Sequence, residues 1–79
     1  LGLGTRIAQV RNGKGMTQIF VTRKLSRTSG WLSNIENGRR PINTEELSKI
    51  ADVLGVDVRI FFEDDYNATF KLGSEPNPI

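Results

Sequence analysis

Residues 17–38 read TQIFVTRKLSRTSGWLSNIENG, and this stretch decides the fold. Thr17 suits a helix N-cap, because its side-chain oxygen can accept from an orphan backbone N–H of the first turn. Val21 and Leu25 follow four residues apart, so the spacing predicts a helix from Thr17 to about Leu25 with both facing inward. Ile19 and Phe20 precede Val21 with no polar break, so one of them faces outward or meets another element or subunit. Ser26-Arg27-Thr28 is the turn. Thr28 caps a second helix to about Asn37, with Leu32 and Ile35 toward the core and Trp31 at its edge. Gly38 stops that helix as a left-handed residue. Gly30, in its first turn, lowers helix propensity by about 1 kcal/mol relative to Ala, which a close approach of the backbone to something else would offset.

Outward from this stretch the same logic yields three more helices. Leu3, Ile7 and Val10 recur at helical spacing between Arg6, Gln9 and Arg11, predicting a helix from about Leu3 to Asn12. The run Asn12-Gly13-Lys14-Gly15 ends it. After residue 38, Asn43 is a cap with Glu46 three residues on, a capping box with Asn in place of Ser or Thr. Ile42 and Leu47 form the accompanying staple, Leu47, Ile50, Ala51 and Leu54 form the buried stripe, and Gly55 closes the helix. Asp57 can cap a short fifth helix carrying Val58, Phe61 and Phe62. The fold class is therefore all-α, with five helices over residues 1–62. Residues 63–79 form a C-terminal tail in which Tyr66, Ala68, Phe70 and Leu72 alternate with polar residues. That period of two suits a β arm; with no strand in its own domain to pair with, the tail is either a dimerisation arm or disordered.

Composition narrows the function. Seventy-nine residues make one domain near the lower limit for a self-sufficient core. With 37% hydrophobic and 25% charged residues the balance is that of a soluble globular chain. There is neither Cys nor His, which removes disulfides, thiolate nucleophiles, the usual zinc ligand sets and the commonest general base. The Glu45-Glu46 pair is accounted for by the first turn of the fourth helix, so no enzyme, metal or cofactor is expected. No apolar run approaches the ~20 residues of a membrane span, and Leu1-Gly2-Leu3-Gly4 does not open a secretion signal. The expected place is the cytoplasm, with no membrane partner. Net charge is +2, unevenly spread. Residues 1–62 hold ten Lys or Arg against five Asp or Glu, a balance of +5, and the tail holds one Lys against four acids. A basic head with an acidic tail suits a polyanion partner.

Two short helices joined at a tight turn have the spacing of a helix-turn-helix, which lays its second helix in the major groove of DNA. The residues at the joints carry a resemblance over about residues 4 to 62. They are Gly4-Thr5-Arg6-Ile7 with Arg11, then Lys14-Gly15-Met16-Thr17-Gln18, then the run from Leu32 to Pro41 and the run from Leu47 to Val56. Together these resemble the Cro/C1-type (XRE-like) helix-turn-helix family of phage repressors and bacterial regulators, and imply a lambda-repressor-like domain. The family usually has Ala at Thr22, Gly at Ser26 and an aliphatic residue at Arg27. Thr22 can bond its own helix backbone, and Ser26 in a left-handed turn is mildly strained.

The resemblance implies double-stranded operator DNA as partner and a homodimer as the working form. Ser29, Gly30, Ser33 and Asn34 would face base edges; Asn34 can pair bidentately with adenine N6 and N7, whereas Gly30 reads nothing by side chain. Gln18, Thr28, Asn37, Arg39 and Arg40 would hold phosphate, and Glu36 would brace against Arg11. Dimer surfaces are expected among Phe61, Phe62, Tyr66, Phe70 and Leu72. The competing expectation is an antitoxin or protein-interaction adaptor that keeps the fold, argued from Ile19, Phe20 and the apolar tail residues.

Overall fold

Among the described residues, three of the four α-helices begin on a side-chain cap, as the sequence predicts. A computed structural model describes residues 2–62: α1 (Leu3–Gly13), α2 (Gln18–Lys24), α3 (Ser29–Glu36), α4 (Thr44–Leu54) and a 3-10 helix, Val58–Phe62. Thr17 accepts from the Phe20 N–H at 3.0 Å and Thr28 from the Trp31 N–H at 3.1 Å. Asn43 accepts from the Glu46 N–H at 2.7 Å, while Glu46 accepts from the Asn43 N–H at 3.1 Å. That reciprocal pair is a complete capping box.

All four α-helices also end alike. The residues that reverse the chain, Gly15, Ser26, Gly38 and Gly55, have φ of 72°, 57°, 77° and 73°. In each case the next N–H reaches back five residues: Met16 to the Arg11 carbonyl, Arg27 to Thr22, Arg39 to Asn34 and Val56 to Ala51, at 2.8 to 3.1 Å. This is the Schellman arrangement, whose left-handed residue is usually glycine. Ser26 holds that position with a Cβ and is the one non-glycine among the described residues with positive φ. Thr22, in the preceding helix, turns its hydroxyl onto the Gln18 carbonyl at 2.8 Å and is buried.

The core is one cluster drawn from every element: Ile7, Val21, Leu32, Ile35, Leu47, Ile50, Ala51, Leu54 and Phe61. Ile42, Leu25 and Trp31 pack against it half-buried. Helix α3 touches α1 and α2, α2 also touches α4, and the 3-10 helix closes against α1 and α4. The α1–α3 contact is backbone-close: a Cβ on Gly4 would fall on the Ile35 carbonyl oxygen and lie 2.9 Å from that of Glu36. Glycine at position 4 therefore sets the distance between these helices.

Two expectations change. The fifth helix is a single 3-10 segment, opened by Asp57, whose carboxylate accepts from the Arg59 N–H at 2.8 Å. Its five residues drive Phe61 into the core before an α-helical pattern can establish itself. Hydrogen bonds from the Arg59 side chain and backbone hold the Asp57 carboxyl below its ordinary value. The associated stabilisation is present above the ordinary carboxylate pKa and lost as pH falls through the lowered one. Phe61, expected at a dimer surface, is a core residue at 5% exposure, whereas Phe62 is 47% exposed. No strand occurs among the described residues; the tail expectations, with Tyr66, Phe70 and Leu72, lie outside them.

Ser26→Gly is expected to stabilise the domain by about 0.5–1 kcal/mol, because relief of left-handed strain outweighs the added freedom of the unfolded chain. The measurement is a urea midpoint that rises with the slope unchanged.

Candidate nucleic-acid interface

Helix α3 has two faces, and an ion pair fixes which one looks inward. Leu32 and Ile35 enter the core and Glu36 is buried beside them. Arg11 of α1 grips Glu36 with two donors, Nε to Oε2 at 2.7 Å and Nη2 to Oε1 at 3.0 Å. Its third nitrogen, Nη1, donates to the Met16 carbonyl at 2.7 Å. The two side chains are 10% and 5% exposed, so solvent screens the pair little. Gln18 joins the same carboxylate, its Nε2 donating to Oε1 at 2.9 Å. Glu36 thus ties α3 to α1 and to the first residue of α2.

The outer face carries the expected contact residues. Ser29, Gly30 and Asn34 are exposed and Ser33 is half-buried. Beyond the helix, Asn37 and Arg39 are exposed and Arg40 half-buried. Asn37 Nδ2 donates to Ser33 Oγ at 3.3 Å, and Arg39 Nη1 reaches Asn34 Oδ1 at 3.5 Å. These two bonds join Ser33 and Asn34, expected at bases, to Asn37 and Arg39, expected at phosphate, on the outer side of α3. Gln18 stands apart: its amide is committed to Glu36, and what it offers outward is its place at the start of α2. Thr28 uses its oxygen as a cap and keeps its hydroxyl hydrogen for another acceptor.

Gly30 gains a definite reading. A Cβ there would meet only Thr28 Oγ1, at 3.9 Å, an ordinary contact. Nothing among the described residues requires glycine at this position, so its open side faces outward.

A cluster that the sequence did not reveal sits behind the patch. The Arg27 guanidinium lies over the Trp31 ring at 4.7 Å from its centroid, and that of Arg40 at 5.9 Å. Both donate to Glu46 Oε2, at 3.4 Å and 3.1 Å. The Trp31 Nε1–H is buried and finds no acceptor among the described residues. Arg27 precedes the cap of α3, so no helical spacing links it to Trp31, and the link to Arg40 and Glu46 crosses a loop. On α2, Ile19 and Phe20 are both exposed, with Lys24 Nζ 5.3 Å from the Phe20 ring centroid.

Comparison with known proteins gives the family. A family profile described as "Helix-turn-helix domain" matches residues 2–59. The chain belongs to the XRE-like helix-turn-helix family. It is similar to the HTH-type transcriptional regulator RamB of Mycobacterium tuberculosis, in strains CDC 1551 / Oshkosh and ATCC 25618 / H37Rv. Each is 33% identical over 63 residues, covering 80% of this chain and 13% of the relative. This helix-turn-helix chain thus spans about an eighth of the length of those relatives. No solved structure matches it significantly. No described helix is long and apolar enough to cross a membrane.

Glu36→Gln or Arg11→Ala, each leaving a buried partner uncompensated, is expected to lower stability by roughly 3–5 kcal/mol in chemical denaturation. Replacing both residues by apolar side chains of similar volume should cost much less than the sum of the two. Gly30→Ala is expected to raise stability by about 0.5–1 kcal/mol, because the added methyl has room.

Proposed function

We propose that this chain is the sequence-specific, double-stranded DNA-binding part of a transcriptional regulator, working as a homodimer with α3 in the major groove. The observation that carries the reading is the division of α3. Leu32, Ile35 and Glu36 are committed inward, which leaves Ser29, Gly30 and Asn34 exposed beside Arg39 and Arg40. Family membership supports it, as does the similarity to a protein named a transcriptional regulator. Asn34 carries the sharpest base preference, since its amide matches adenine N6 and N7. Thr28, Asn37, Arg39 and Arg40 hold phosphate and set register without reading sequence. Gln18 contributes through the helix end it occupies, where backbone N–H groups favour an anion.

One domain of this size offers few base contacts. Two copies on half-sites ~34 Å apart multiply them, and exposed Phe62 supports a surface between copies. Repression by occupying a promoter, in the phage or bacterial manner, is the simplest outcome of such binding.

Selection of duplexes from a random pool is expected to return a two-fold symmetric site. Affinity for it should fall steeply with salt, with a log–log slope of about −0.9 for each phosphate neutralised. Asn34→Ala should weaken the selected site by about 1–3 kcal/mol and leave non-specific binding nearly unchanged. Failure of the full chain to bind any duplex would sink the proposal. In that case the exposed Ile19 and Phe20 favour the protein-interaction reading, and Phe20→Asp is the variant that should abolish activity.

A further inference from the structure

Arg27 is outside the contacts assigned above, yet it is built into the same surface. It occupies a position where the family usually has an aliphatic side chain, immediately before the cap of α3. Its guanidinium and that of Arg40 lie over one indole ring and share one carboxylate oxygen, Glu46 Oε2. Two cations on a single anion leave one positive charge uncompensated locally. The side chains of Arg27 and Arg40 are 45% and 39% exposed, against 13% for Glu46, so solvent and an incoming ligand reach the cations first. Each guanidinium has five N–H donors and uses one on Glu46. Beside Arg27 lies a cleft of about 210 Å³, lined in part by Arg27, Trp31, Glu45, Glu46 and Lys49, in which Lys49 pairs with Glu45 at 3.6 Å and Arg27 is the remaining cation. The cleft is several times the ~30 Å³ that a water occupies in the liquid.

We propose that Arg27 and Arg40, mounted on Trp31, form a two-guanidinium site for one backbone phosphate of duplex DNA, and that the Glu46 carboxylate occupies this site in the free protein. The inference rests on the DNA-binding reading and adds to it a contact residue and a competitor. The N-terminal residues of a recognition helix enter the groove, which brings Arg27 toward the strands that border it. Planar guanidinium groups suit phosphate oxygens, and the shared contacts with the indole and with Glu46 keep the two close together before DNA arrives. Glu46 stays anchored when displaced, because its other oxygen still accepts from the Asn43 N–H.

The test uses the full chain with its selected duplex and measures affinity across a salt series, with a melting curve for every variant. Arg27→Gln leaves Arg40 neutralised by Glu46, so it is expected to reduce the salt slope by about 0.9, the value of one phosphate contact, and Arg27→Lys to retain it. Glu46→Gln keeps a side chain that serves in a capping box but withdraws the competing charge, so it should bind DNA several-fold tighter at low salt. An unchanged slope in Arg27→Gln would overturn the inference, since a residue that only packs on Trp31 would lower the melting temperature and leave the slope alone. Should Arg27→Gln fail to fold, Glu46→Gln decides: tighter binding supports the site, and equal or weaker binding overturns it. Wild-type chain that binds no duplex would remove the DNA-binding reading itself, whereas a binding wild type with an indifferent Arg27 removes only this site.

Discussion

The Arg11–Glu36 pair is the interaction on which the rest of this small domain depends. Both groups leave water, so each needs the other and needs its remaining polar atoms met. The structure meets them with Gln18 on one carboxylate oxygen and the Met16 carbonyl on the third guanidinium nitrogen. Three helices and a loop are thereby tied at one point. The consequence reaches α3 most directly, because Glu36 is the last residue of that helix and its anchoring fixes the rotation of the whole element. A core of nine buried side chains could tolerate a small rotation of α3; a bidentate pair at 2.7 and 3.0 Å cannot. Gly4 permits the same geometry by sterics, since any side chain there would meet the Ile35 and Glu36 carbonyls and push α1 and α3 apart.

Much of the scaffold was legible because its signals are local. Thr17, Thr28 and Asn43 each satisfy N–H groups within three residues of themselves, so their roles follow from short stretches of chain. Gly38 and Gly55 are likewise short-range stops. The inward set of Leu32, Ile35, Leu47, Ile50 and Leu54 follows from helical periodicity. The Arg11–Glu36 pair was reachable only through family resemblance, because its members are 25 residues apart in sequence and no periodicity links them. Other features were hidden for the same reason. Gln18 reads as a helix-start residue facing an anion, and only the folded chain reveals Glu36 as its partner. Phe61 and Phe62 are adjacent aromatics whose opposite fates are set by the direction of a 3-10 turn. The Trp31 cluster needs the loop after α3 to fold back.

The outer surface of α2 obeys a different constraint. Ile19 and Phe20 are exposed beside Arg23 and Lys24, so apolar and basic side chains share this face. Helix α2 has seven residues, too few to be stable alone. What holds it is the inner face, Val21 and Thr22, together with its caps and the Gln18–Glu36 hydrogen bond. The apolar residues outside contribute nothing to that support, and on a domain this small they are a conspicuous departure from a polar exterior.

The separation of the two faces of α3 has a consequence for how such a chain can change over generations. Everything that sets the pose of the helix lies on one side: Leu32, Ile35, Glu36 and, through them, Arg11 and Gly4. Ser29, Gly30 and Asn34 lie on the other and are exposed, with Asn34 touching only Arg39 by its side chain among the hydrogen bonds described. Substitutions there alter what the helix presents without disturbing how it is held. The domain is therefore a mount with an exchangeable head, in which the outer residues can vary while the inner ones keep the pose.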